Sequence, residues 1–208
     1  MERVIPIFPL PLVIYPNSSY PLHIFEERYK SLINRSIKDE ASFAIIPMLN
    51  DDLAIVGTEV TVSQITNKYP TGEFDIVVKG GERVSIIKTW KTPSGYSEAL
   101  VKTLEEDNYD DGYSVIEILE EKFKSLLNKI ELDLEPNFWK NLEAARLKSY
   151  KIAEKCGLSL EQQIRLLEEP AEEERLGFLI GHIIELEKTM SERSVMISLI
   201  MNDGYLNN

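Results

Sequence analysis

Cysteine and histidine are nearly absent from this sequence. A single cysteine, Cys156, leaves no internal disulfide possible and fits a reducing compartment. Two histidines, His23 and His182, together with that one thiol are too few for a zinc site, and no His-Glu-x-x-His run occurs. The ten glycines build neither a Gly-x-x-x-x-Gly-Lys-Ser/Thr phosphate loop nor a Gly-x-Ser-x-Gly elbow. No metal, no cofactor and no catalytic residue is therefore expected.

Long hydrophobic runs are missing too. The longest, Leu176 to Leu186, contains His182 and Glu185 and is too short to span a bilayer. The opening Met1-Glu2-Arg3-Val4-Ile5-Pro6 has no basic targeting region, and Pro6, Pro9, Pro11 and Pro16 interrupt any apolar helix. No membrane partner is expected, and the cytoplasm is the expected location. Positive charge is scarce: 23 Lys/Arg stand against 35 Asp/Glu, a net charge of −12. Duplex binding depends on cations that neutralise phosphates, so this balance argues against nucleic acid. The deficit is lopsided. Residues 1–105 carry 11 Lys/Arg against 13 Asp/Glu, whereas residues 106–208 carry 12 against 22.

What is present changes character along the chain. Val4–Phe8 and Phe43–Ile46 are apolar runs of strand length, and Phe74, Ile76 and Val78 share one face by the period of two. Pro70-Thr71-Gly72 reads as one hairpin turn and Gly80-Gly81 as another, a tight two-residue turn at positive φ. This predicts antiparallel strands near 58–66, 73–79, 82–90 and 96–104, curled into a small barrel. Phe25, Tyr29, Leu32, Ile33, Ser36 and Ile37 fall at helical spacing and predict an amphipathic helix over 26–38.

The acidic stretch 105–112 marks a boundary. Beyond it the period becomes 3.6. Val115, Ile118, Leu119, Phe123, Leu126, Leu127 and Ile130 trace one stripe. Phe138, Leu142, Ala145, Ser149, Ile152 and Cys156 trace a second, closed by Gly157. Ser159 with Gln162 predicts a capping box before a helix carrying Leu160, Ile164 and Leu167. Pro170 and Glu172-Glu173-Glu174 open a last helix running through Leu176, Leu179, Ile180, Ile183, Glu187, Met190, Ser194 and Ile197. The expected organisation is α+β, a β-barrel over 1–105 and a helical bundle over 106–208.

Single residues offer little chemistry. His23 reads as a group anchoring the loop before the first helix, beside Glu26 and Glu27. Its rival reading, a general base, lacks a nucleophile motif nearby. His182 reads as a packing residue, Cys156 as a buried structural thiol. Gly177 and Gly181 read as a close approach of helices in the bundle, and the acids of 168–174 as a solvated helix start. Spacing and composition stop there, at a barrel-plus-bundle protein with no visible active site.

One long ordered run goes further. Ile5-Pro6-Ile7-Phe8-Pro9-Leu10, Tyr15-Pro16-Asn17 and Pro21-Leu22-His23-Ile24-Phe25-Glu26-Glu27-Arg28-Tyr29 resemble the opening of the amino-terminal substrate-binding domain of Lon proteases. Gly57-Thr58-Glu59-Val60, and Phe74 to Gly80 followed by Glu82-Arg83-Val84, are similar to that family's next strands. Asn17 stands where the family carries glycine, and asparagine tolerates the left-handed turn. The resemblance implies a PUA-like β pseudo-barrel followed by an α-helical bundle. It also implies a non-catalytic module for unfolded or exposed peptide segments, separate from ATPase and peptidase domains, with a protease or chaperone in trans as a further partner. Tyr15, Tyr20, His23, Phe25 and Tyr29 are the candidate peptide-binding residues of the opening segment. The alternative is an RNA-binding PUA-like module, which the charge opposes.

Overall fold

The computed structural model of this protein describes residues 2–107 and 113–190. The chain folds as two compact units, Met1–Glu105 and Glu106–Asn208. Ser194 and Ile197, which the helical period places on the last helix, lie outside the described residues.

The first unit holds β1 (Glu2–Leu10), β2 (Ser19–Ile24), α1 (Glu27–Asp39), β3 (Phe43–Leu49), β4 (Asp52–Leu53), β5 (Val56–Lys68), β6 (Phe74–Lys91) and β7 (Ser97–Thr103). The strands run in the order β1-β7-β6-β5-β3, and β1 pairs in parallel with β3, which closes a five-stranded ring. β2 pairs with the first part of β6, and β4 with the end of β3. Closure removes exposed edges from the ring itself. β1 is no edge strand, although prolines within sheets are usually confined to edges. Pro6 lies opposite Glu98 of β7 and Pro9 opposite Ile46 of β3, each in a stretch of β1 where a single neighbour is in register. A proline tolerates that, because only one side of the strand needs a donor.

Alternation along these strands makes two apolar clusters on opposite faces. Ile5, Ile7, Ala44, Ile46, Val84, Ala99 and Val101 form one. Phe8, Phe43, Ile45, Val60, Phe74, Ile76 and Val78 form the other, which α1 covers with Tyr29, Leu32 and Ile33. Consecutive residues such as Ile7 and Phe8 thus serve different clusters, as a period of two requires.

The turn at Pro70–Gly72 is present, with Gly72 at φ 84° and the Tyr69 N–H donating to the Glu73 carbonyl. Asn17 takes φ 64°, the left-handed turn expected of it. Gly80-Gly81 does not turn. β6 runs straight through both residues, and neither has a positive φ. The reason is a backbone crossing. A Cβ on Gly80 would lie 2.2 Å from the Tyr15 carbonyl oxygen, and Gly80 exchanges hydrogen bonds with Asn17 and Ser18. The second hairpin falls instead at 92–96, where Gly95 has φ 86°.

The second unit consists of α2 (Tyr113–Lys129), α3 (Pro136–Ala144), α4 (Lys148–Ala153), α5 (Leu160–Glu168) and α6 (Glu172–Thr189). Leu119, Phe123, Leu126, Leu127 and Ile130 of the first stripe are buried, while Ile118 is exposed. The second stripe belongs to two helices rather than one. Ala145 is extended, at ψ 127°, and α4 begins afresh beyond it. The Glu172 carboxylate explains the restart, because it accepts from both the backbone N–H (3.0 Å) and the hydroxyl (2.5 Å) of Ser149 in the first turn of α4. Such an acceptor satisfies a helix-start donor that an unbroken helix would have used internally. The Ser159–Gln162 capping box is formed, and Gly157 has φ 68°.

Glu172 also corrects the reading of 168–174 as a purely solvated helix start, since its side chain is buried against Arg175. Arg175, itself fully buried, bonds Glu172, Glu106 and the Glu169 carbonyl, and its guanidinium lies 4.4 Å from the centre of the Tyr150 ring. Gly177 and Gly181 serve no close approach among the described residues, because a Cβ at either would meet nothing within 4 Å.

Candidate functional site

The five candidate residues separate into core and surface. Tyr15 is fully enclosed at the Gly80 crossing, where its carbonyl accepts from the Ser18 hydroxyl. Tyr29 is buried and stacks on Phe8, ring centres 3.9 Å apart. Tyr20 is half-buried against the same cluster. An incoming chain would not meet the rings of Tyr15 and Tyr29 in this conformation. His23 and Phe25 remain.

Strand geometry puts these two side by side. Leu22 and Ile24 of β2 point into the core, so His23 and the residue after the strand, Phe25, project outward. Phe25 therefore follows the phase of β2 and not the stripe of α1, to which helical spacing assigns it. Phe25 is 59% exposed, more than any other aromatic residue among the described residues. The His23 and Phe25 rings stack with centres 5.9 Å apart.

Register then brings in residues distant in sequence. His23 lies opposite Asp75 of β6, and Asp75 opposite Asn67 of β5. His23 Nδ1–H donates to Asp75 Oδ1 at 2.7 Å, and the Tyr69 hydroxyl donates to Asp75 Oδ2 at 2.8 Å. Hydrogen bonds from His23 first, then Tyr69, hold the Asp75 carboxyl below its ordinary range. His23 Nε2 faces Glu73 at 3.9 Å, and Tyr69 meets the imidazole edge-on with centres 5.8 Å apart. His23 thus anchors a cross-strand network rather than pairing with Glu26 or Glu27. Glu26 bonds Arg28, and Glu27 bonds Lys30.

The result is an outward surface at the ends of three strands, with Phe25 and Tyr69 as exposed rings, His23 between them, and the carboxylates of Glu73 and Asp75 alongside. Tyr69, Glu73 and Asp75 escaped sequence reasoning. Alternation along β2 could have flagged Phe25, but nothing local announces which strand lies beside His23. A separate groove of about 390 Å³ runs between Ser36, Ile37, Glu40 and Ala41 at the end of α1 and Thr61–Ile65 of β5. There β5 has β6 on one side only, because its register with β3 stops at Val60. The described residues include no group of three or more His, Cys, Asp or Glu placed to hold a metal, and no helix long and apolar enough to cross a membrane.

A barrel closed by a parallel β1–β3 pair, capped by one helix and followed by a helical unit, defines a particular class of protein. The family described as the ATP-dependent protease La (LON) substrate-binding domain matches residues 4–185, and this chain belongs to that family. A curated relative, Lon protease 2 of Syntrophobacter fumaroxidans, is 27% identical over 174 residues, covering 76% of this chain. The chain spans only 21% of that relative's length. Two solved structures share the fold. The Lon N-terminal domain protein from Xanthomonas campestris superposes with a TM-score of 0.66 at 24% identity, covering 86% of this chain and 98% of that one. The N-terminal domain of Mycobacterium avium complex Lon protease gives 0.66 at 20% identity, covering 88% and 99%.

Proposed function

We propose that this chain captures exposed apolar segments of other proteins, in the cytoplasm and without chemistry of its own, and that Phe25, His23 and Tyr69 form the contact surface. Membership of a substrate-binding domain family supports the general role. The observation that carries the site is Phe25. A phenylalanine 59% exposed forgoes about 1 kcal/mol or more of burial, and such a ring next to two other planar groups suits an anchor for an incoming side chain. A captured segment would pass to an ATP-dependent protease or a chaperone, either in trans or joined to this module.

The test compares a protein in its folded form with the same protein reduced and alkylated so that it cannot fold, each labelled and titrated with this chain by fluorescence anisotropy. The unfolded form should bind, and the folded form should not. Phe25→Ser should weaken binding about tenfold, in line with the truncation of an interface anchor. Ile37→Ser in the groove beside α1 should leave it unchanged. Equal binding of folded and unfolded forms would remove the capture reading, and a loss at Ile37 alone would move the site to the groove.

A further inference from the structure

We infer that the surface at the ends of β2, β5 and β6 accepts a basic side chain, a Lys or Arg of the bound segment set among apolar residues. This rests on the capture reading above and specifies what is captured.

The argument is one of charge complementarity. Glu73 and Asp75 lie on the outward face, with side chains 36% and 32% exposed. Among the described residues the only basic group within ion-pair distance of either is His23. The neighbouring cations are committed elsewhere, Arg28 to Glu26 and Lys30 to Glu27. Lys68 sits opposite Phe74, whose side chain belongs to the core, so it starts from the opposite face of the sheet to Asp75. Two carboxylates therefore face outward with one imidazole between them.

The two carboxylates have different parts. Asp75 already accepts from His23 and Tyr69, and it fixes both rings. Among the described residues the Glu73 carboxylate has only the 3.9 Å approach of His23, which leaves its oxygens open to a stronger donor. Around the same His23 imidazole stand the rings of Phe25 and Tyr69, and aromatic π faces attract a cation. A planar guanidinium can lie on a ring while donating to a carboxylate, and an ammonium can do so less well. An acidic side chain would meet like charge at the same place. Glu73 is thus a specificity residue and Asp75 a positioning residue.

The experiment uses three labelled peptides of one apolar sequence that differ only at the central residue, Arg, Gln or Glu, titrated by anisotropy against the full chain. The expected order is Arg, then Gln, then Glu, with Arg preferred over Gln five- to tenfold and the preference shrinking in high salt. Glu73→Gln should abolish the Arg preference while leaving affinity for the Gln peptide within twofold. Asp75→Asn should weaken all three by freeing His23 and Tyr69. Circular dichroism melting checks that each variant is folded, and Glu73 is exposed enough for its substitution to be tolerated. Equal binding of the Arg and Gln peptides to the unaltered chain, or an Arg preference that survives Glu73→Gln, would overturn the inference with peptide capture intact. Absence of binding by all three would remove both.

Discussion

Among the described residues each unit buries one arginine completely, Arg83 in the sheet unit and Arg175 in the helical unit, but the two units achieve close packing by different means. In the sheet unit the backbone does it. Gly57 and Gly80 lie so near the carbonyls of Ile45 and Tyr15 that a Cβ would come within 2.5 Å and 2.2 Å of them. In the helical unit side chains do it. Arg175 joins α6, the start of α4, Glu106 and the Glu169 carbonyl through charge-assisted bonds, while a Cβ at Gly177 or Gly181 on the same helix would meet no neighbour within 4 Å among the described residues. A barrel built on backbone contact keeps its shape with few buried charges, which leaves outward positions such as 23, 25 and 75 free for binding. Short helices of six to nine residues, such as α3, α4 and α5, have little stability of their own and depend on a shared polar centre.

The sharpest break of this contrast is Arg175→Leu. Removing the cation leaves Glu172 buried with no partner charge, a change that costs about 3–5 kcal/mol in comparable buried pairs. Arg175→Lys keeps the charge but loses the fork that spans Glu172, Glu106 and Ser149, so its loss should be intermediate. The molecule supplies its own reporters, because Trp90 lies in the sheet unit and Trp139 in the helical unit. Denaturant unfolding followed through Trp139 in a Trp90→Phe background should show the drop. A midpoint unchanged by Arg175→Leu would mean that this network is not what holds the short helices.

The next test exchanges the glycines. Gly80→Ala forces a Cβ against the Tyr15 backbone, which has no flexible end to yield, and overpacking of this kind costs about 1–3 kcal/mol. Gly177→Ala meets open space and gains the helix propensity that glycine lacks, so it should stabilise by about 1 kcal/mol. Opposite signs, read through Trp90 for the first and Trp139 for the second, would bear out the contrast; matching signs would break it.

These same residues mark what could be read from sequence. The period of two, the Pro70–Gly72 turn, the left-handed Asn17 and the Ser159–Gln162 box are local, and each appears in the structure. Gly80-Gly81 was ambiguous in principle. Glycine serves a positive φ and a close crossing equally, and only the position of Tyr15 decides between them. The break between α3 and α4 has no glycine or proline to announce it, because its cause, Glu172, comes 23 residues after Ser149. Helical spacing gives Phe25 the wrong phase because the residue stands where a strand's period hands over to a helix's. Of the candidate surface, His23 and Phe25 were legible through the family's opening motif. Tyr69, Glu73 and Asp75 join them only through the register of β2 on β6.

The smallest effect tests how far the helical unit's reliance on polar bonds extends. His182 of α6 places Nε2 at 3.0 Å from the Cys156 carbonyl and Nδ1 at 3.3 Å from the Gln162 side chain. Burial pushes its pKa below the ordinary 6.5, and the bond to the Cys156 carbonyl offsets this only in part. The folded state therefore holds fewer protons on this ring than the unfolded state does as the pH falls below 6.5. Stability from the neutral ring is complete above that value and declines as the pH drops through 6.5 toward the lower folded pKa. His182→Gln should flatten this part of the pH dependence, read as the Trp139 denaturation midpoint at pH 7.5, 6.5 and 5.5. The carboxylates titrate in parent and variant alike, so the difference between the two curves isolates the imidazole. A difference that grows toward pH 5.5 in favour of Gln is the expected sign. The reverse sign would place a charged imidazolium in the fold, its N–H accepted by the Cys156 carbonyl.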